Sequence, residues 1–324
     1  MYLEIILHIG INKTGTSSLQ KFLELNPQNL AREGWVYPQA GRMDAAHHGL
    51  AQAVANSVGA AREMVGEMLA EAGKEHRLII SSEALHDTPH VGRLAEAFSG
   101  HDVKVVIFLR DYIDYLSSWY RQDVQAGGLC CDFENYAVLK RKMFLPLLRR
   151  WAQHFDKKNL HIRDYDRKTL RNGSSVDEVM LDIVGLESID GWNTVGYENN
   201  PSVSGNLLFF KRLVNNFCSR EEASQFTDQI TDLAKIDESF RARMHVRSEF
   251  GAYIFATQFE KDVVMIENEF GFSLRARGGG REGAMIPDHD RLQADYAAIL
   301  AECDRRGFSF GAELRKYAPR FLKD

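Results

Sequence analysis

Leu7-His8-Ile9-Gly10-Ile11-Asn12-Lys13-Thr14-Gly15-Thr16-Ser17-Ser18-Leu19-Gln20 decides how this chain is read. An apolar run from Ile5 to Ile9 feeds a loop of glycine and hydroxyl residues, and helical spacing follows at once. Strand, tight loop and helix start together form an anion cradle. The first N–H groups of a helix lack intrahelical partners, and they carry the positive end of its dipole. Lys13, Thr14, Gly15, Thr16, Ser17 and Ser18 are therefore the candidate phosphate ligands. A nucleoside-triphosphate loop of the G-x-x-x-x-G-K-[ST] type places lysine directly after its last glycine. Here Lys13 comes two positions before Gly15, and Thr16 follows it. The loop suits a phosphate but is not a standard ATP or GTP loop.

Further out, strand and helix patterns alternate. Val103 to Leu109 is apolar apart from Lys104, as expected of a strand buried on both faces. It ends in Arg110, and helical spacing from Tyr112 to Gln125 carries Ser117 and Ser118. Shorter strands are predicted at Trp35–Tyr37, stopped by Pro38, at Leu78–Ile80, closing on Ser81-Ser82-Glu83, and at Asn159–Ile162. Helices are predicted over Ser17–Arg32, interrupted by Pro27, and within the alanine-rich Ala45–Gly73. The alternation predicts an α/β fold, a P-loop-like parallel sheet flanked by helices on both faces. Beyond about residue 195 the chain turns helical. Leu207, Phe210, Val214 and Phe217 mark one stripe; Val246 to Phe270 and Leu292 to Cys303 mark others. With no repeat and no Pro- or Ser-rich linker, the expectation is one domain over 1–324, with a nucleotide-binding core over 1–195 and a helical extension over 196–324. Ligands of such sheets bind beyond the carboxyl ends of the strands. Lys13, Glu83 and Arg110 each come shortly after such an end.

The lysine loop Lys13-Thr14-Gly15-Thr16-Ser17, with Arg110 and Ser118 after a later strand, resembles the sulfotransferases that use PAPS, 3′-phosphoadenosine 5′-phosphosulfate. The continuation Ser17-Ser18-Leu19-Gln20 is similar to the bacterial and carbohydrate-type branch. The resemblance implies that the loop grips the 5′-phosphosulfate, that Arg110 and Ser118 grip the 3′-phosphate, and that PAP is the product. Arg277 and Gly278, in the Arg275–Gly283 segment, are implied as a further cover for the 3′-phosphate. The chemistry of the residues agrees. A flexible ammonium at Lys13 suits the charge that grows on a leaving phosphate oxygen, and the Arg110 fork matches phosphate oxygens. Eight helical residues rise about 12 Å, so Arg110 and Ser118 meet one phosphate only if Arg110 precedes the helix and folds back. An acceptor hydroxyl must also lose a proton. Glu83 stands where the resemblance implies a catalytic Glu or His; it also fits a glutamate at a helix start, stabilised by the dipole. His48 and its neighbour His47 are the other candidate bases.

Composition bounds the partners. A formal net charge of −5 argues against a broad nucleic-acid surface but not against a local nucleotide pocket. The implied partner is a small molecule or glycan carrying a hydroxyl. No apolar stretch reaches the roughly 18–20 residues of a membrane span, and no signal-peptide pattern opens the sequence, so a cytoplasmic enzyme without an integral membrane segment is expected. Four cysteines, with Cys130 and Cys131 adjacent, give neither a disulfide framework nor a metal spacing, so free thiols and no metal are expected. Two other readings compete: a P-loop-type small-molecule kinase, which needs Mg2+-binding carboxylates and a lysine after the last glycine, and a non-catalytic nucleotide- or glycan-binding protein.

Overall fold

The computed structural model describes residues 3–73, 77–194, 203–275 and 282–322. Five strands, β1 (Glu4–His8), β2 (Trp35–Val36), β3 (Arg77–Ser81), β4 (Asp102–Leu109) and β5 (Leu160–Asp164), form one sheet in the order β2-β3-β1-β4-β5. Every neighbouring pair is parallel, so all five carboxyl ends emerge at one edge. The first strand is central. The chain fills one side of it with β2 and β3, then crosses to place β4 and β5 on the other. That crossing makes the edge beside β1 a topological switch point, where open α/β sheets hold their ligands.

The apolar runs explain why these segments are strands. Ile6, Ile79, Val106 and Phe108 point to one face and pack with Leu19, Phe22 and Leu23 of the helix α1 (Thr16–Leu25) and with Val179, Met180 and Ile183. The alternate residues Ile5, Leu7, Ile80, Val105 and Ile107 are equally buried on the opposite face. The helix Val58–Ala72 packs on β2, β3 and the helix Val91–Ala97. Each large apolar side chain so buried contributes about 1.5–3 kcal/mol, which holds β1 in place on both sides.

Local chemistry sets the breaks. Pro27 does not merely interrupt a helix; it starts a new one, Pro27–Arg32, where its missing N–H costs nothing. The Ala45–Gly73 region is likewise two helices, His48–Asn56 and Val58–Ala72. Ser57 separates them, its hydroxyl accepting from the N–H of Ala60.

The chain divides into two compact units. The first comprises Met1–Asp111, Met143–Gly196 and Asp262–Arg275 and contains the sheet. The second comprises Tyr112–Lys142, Tyr197–Lys261 and Ala276–Asp324. Within the second unit, the buried helix Gly205–Asn215 packs against the helices Tyr112–Gln125, Leu292–Arg306 and Phe310–Tyr317. Leu207, Phe210 and Val214 of the expected stripe lie in its core. Phe217 does not: it falls past the helix end and stacks on Tyr317, with ring centroids 4.0 Å apart. Among the described residues no strand follows β5, and no helix is long and apolar enough to cross a membrane.

Candidate active site

Between β1 and α1 the backbone takes positive φ three times in six residues: 95° at Gly10, 68° at Lys13 and 74° at Gly15. Turns of this kind aim successive N–H groups into one concavity, and α1 then adds its own unpaired first N–H groups. Gly15 is the residue before α1, and among the described residues no side chain caps that helix. Its Cα faces two neighbours so closely that a Cβ would lie 2.8 Å from Ser175 Oγ and 3.0 Å from the Tyr165 ring. The turn is braced from below by the Thr14 hydroxyl, which donates to the carbonyl of Ile11. A cradle lined by backbone N–H, with Thr16 and Ser17 hydroxyls at the helix start, has the donor set that a nucleotide phosphate requires.

β4 delivers Arg110 to the same loop. One guanidinium nitrogen donates to the carbonyl of Lys13 at 2.9 Å, and the group lies 5.7 Å from the centre of the Tyr165 ring. Lys13 and Arg110 thus stand together at the sheet edge. Tyr165 and Ser175 carried no sequence signal beyond the placement of Tyr165 directly after β5.

β3 delivers Glu83. The Ser82 N–H bonds the carbonyl of His8, so the turn after β3 stays in register with β1. The Glu83 carboxylate does not cap its own turn. One oxygen accepts from the side-chain amide of Gln20 at 2.6 Å, and the other lies 3.7 Å from His48 Nε2. His48 Nδ1 meets the Ser82 hydroxyl at 2.9 Å. Gly10 lies against the same residue from the loop side, where a Cβ would come within 2.9 Å of Glu83 Cβ.

The two adjacent histidines part company. His47 is wholly buried, and both its ring nitrogens are engaged by backbone: Nδ1 accepts from the Ser81 N–H at 3.2 Å and Nε2 donates to the carbonyl of Pro38 at 2.9 Å. Burial brings its pKa down to about 4. It holds β3 to the loop that follows β2 and has no nitrogen left for an acceptor, which corrects its candidacy as a base. His8, at the end of β1, is buried too; Nδ1 meets the Ser81 hydroxyl at 2.7 Å, and loss of hydration brings its pKa down to about 3.

The remaining candidates lie elsewhere in the chain. Ser118 is buried in the helix Tyr112–Gln125 of the second unit, and its neighbour Ser117 donates to the carbonyl of Asp114 within that helix. Arg275 is exposed, whereas Arg277 and Gly278 lie outside the described residues.

Residues 4–188 match the model of the family described as Sulfotransferase domain, which is more than half of the chain. No curated protein matches it significantly.

Two outcomes follow from the packing. Gly10→Ala meets both a left-handed φ and Glu83, whereas Gly307→Ala, at φ 68° and ψ 33°, meets only a left-handed φ in open space. The first should cost more than about 1 kcal/mol and clearly exceed the second in thermal melting; equal losses would mean the Glu83 contact is unimportant. The buried histidines set an acid limit. Each has a folded pKa below the ordinary value of 6.5, so the unfolded chain takes up the proton first. Stability should fall as pH drops below about 6.5, by up to roughly 1.4 kcal/mol per unit for each histidine, until His47 protonates near 4 and His8 near 3. His47→Gln, whose amide can still donate to Pro38, should flatten the fall in melting temperature between about pH 6 and 4.5. An unchanged slope would remove His47 from that role.

Proposed function

The chain belongs to the sulfotransferase family, and we propose that it moves a sulfuryl group from PAPS to a hydroxyl, on a carbohydrate or glycoconjugate, releasing PAP. The observation that carries this reading is the left-handed Gly10–Gly15 loop at the end of the central strand, with Lys13 in it and Arg110 bonded to it. The donor supplies an activated sulfur whose bond to a phosphate oxygen breaks. Everything else is positioning and charge stabilisation, as expected for loose, in-line group transfer.

In this reading Thr14 to Ser18 hold the 5′-phosphate through backbone N–H and hydroxyl donors. Lys13 neutralises the charge that grows on the departing phosphate oxygen. Glu83 accepts the acceptor's proton, and the electron pair of that O–H bond becomes available to the oxygen that attacks sulfur. His48 stands beside the carboxylate, its Nε2 3.7 Å from Oε1, as the alternative base. Arg110 is assigned to the 3′-phosphate, and Ser118 joins it on the strength of the sequence spacing alone. A carboxylate base at the end of β3 supports a sugar hydroxyl as acceptor, as the resemblance to the carbohydrate-type branch implies. Sulfur-labelled PAPS offered with a panel of oligosaccharides, glycolipid head groups, phenols and amines tests the assignment directly. Label transfer to a sugar is expected; transfer only to phenols or amines would overturn the acceptor class.

Lys13→Ala should leave the melting temperature near that of the parent but slow transfer by about 10² to 10³, the usual cost of losing one such stabiliser. Near-parental turnover would remove Lys13 from the mechanism. For the nucleotide, the parent protein should prefer PAP to 5′-AMP, since a charge-assisted contact contributes roughly 1.5–3 kcal/mol, or about one to two orders of magnitude in affinity. Arg110→Ala should collapse that preference in calorimetric titrations. A loss shared equally by PAP and AMP would reassign Arg110 to holding the loop through the Lys13 carbonyl. Tight Mg2+-dependent ATP binding without a PAP preference would favour a kinase instead.

A further inference from the structure

We propose that Gln20 is a positioning residue for sulfuryl transfer, its side-chain amide fixing the Glu83 carboxylate so that one defined oxygen takes the acceptor's proton. The inference rests on the reading of Glu83 as the base.

Gln20 is an unusual tenant of its site. It lies on α1 next to the core residues Leu19, Phe22 and Leu23 and is only 4% exposed. A buried amide costs about 1–3 kcal/mol when its hydrogen bonds are unmade, so an apolar residue would be the cheaper occupant unless the amide has a task. Its Nε2 donates to Glu83 Oε2 at 2.6 Å, across sixty-three positions of sequence. That contact leaves Oε1 as the oxygen facing His48, whose Nε2 is 3.7 Å away. His48 is in turn set by the wholly buried Ser82 hydroxyl at 2.9 Å. The carboxylate is thereby held from three sides: the backbone of Gly10 against its Cβ, Gln20 on one oxygen, and the His48–Ser82 pair beside the other.

The terminal torsion of a glutamate is broad, so β3 alone places the carboxyl group but not its oxygens. Tying Oε2 to an amide that donates but is not itself ionised converts a swinging carboxylate into an oriented one. The amide also belongs to the helix whose first turn forms the phosphate cradle. The donor loop and the amide that orients the base therefore share one helix. In the step itself, the acceptor O–H bond breaks toward Oε1. The acceptor oxygen forms its bond to sulfur as the sulfur–phosphate oxygen bond breaks, and Gln20 exchanges no proton.

The experiment is a double-mutant cycle between Gln20→Met and Glu83→Gln. It is read as PAP released from PAPS, with the panel acceptor that the parent turns over fastest, or with water where none is turned over. Gln20→Met keeps the length of the side chain and removes the donor. It should lower kcat about tenfold or more while the KM for PAPS and the affinity for PAP stay within about twofold. In the Glu83→Gln background the same change should lower kcat by less than about twofold, because the group that Gln20 orients is gone. Equal losses in the two backgrounds, parental kcat in Gln20→Met, or a matching loss of PAP affinity would each overturn the positioning role. Parental turnover in Glu83→Gln by itself would instead overturn Glu83 as the base, so the two failures are distinct. Should Gln20→Met melt too low to assay, Gln20→Leu, which also removes the donor and adds no charge, should give the same non-additive pattern.

Discussion

The left-handed turns at Gly10, Lys13 and Gly15 constrain the whole sheet edge. β1 is paired on both sides and cannot shift to relieve the loop, and α1 is fixed by the core beneath it. The seven residues between them must therefore reverse direction within a confined space. Each neighbouring strand then closes on the result. The second residue after β3, Glu83, packs against Gly10, the residue after β4 donates to the Lys13 carbonyl, and the residue after β5 packs against Gly15. Because the strands are parallel, these three contacts gather at one edge without any long loop. The site is a consequence of sheet order plus one strained connection.

The contact between Gly10 and Glu83 links the cradle to the candidate base through backbone. Here the turn after β3 is tied to the carbonyl of His8 through the Ser82 N–H, so β1 positions both the Gly10–Gly15 loop and Glu83. His47 serves the same end from outside the site by joining Ser81 to Pro38. A buried neutral histidine in that place gives rigidity near neutral pH and loses it in acid.

Much of this was legible in the sequence because it depends on local patterns. Continuous apolar runs give buried parallel strands, and glycine and hydroxyls ahead of helical spacing give an anion loop. Lys13, Glu83 and Arg110 were visible as polar residues that follow strands. The pairing of Gln20 with Glu83 was not visible, since periodicity places Gln20 on α1 but says nothing of a partner sixty-three positions away. His47 and His48 are equivalent in sequence; only burial separates a structural imidazole from one that faces Glu83. Tyr165 and Ser175 were missed for a related reason. Each matters through its closeness to Gly15, and no pattern encodes a contact to a residue without a side chain. The positive φ of Lys13 was also hidden, because composition reserves that conformation for glycine.

That last feature bears on why a lysine occupies the position at all. A side chain in the left-handed region costs about 1–2 kcal/mol, which glycine at this place would avoid. The conformation persists only where the surroundings determine it. They do so here: Arg110 holds the Lys13 carbonyl, and the Thr14 hydroxyl holds that of Ile11. A transition-state stabiliser of the kind assigned to Lys13 contributes about 2.7–4 kcal/mol, more than the strain it carries. The strain at Lys13 is thus the smaller of two energies, and the geometry of the loop follows from that inequality.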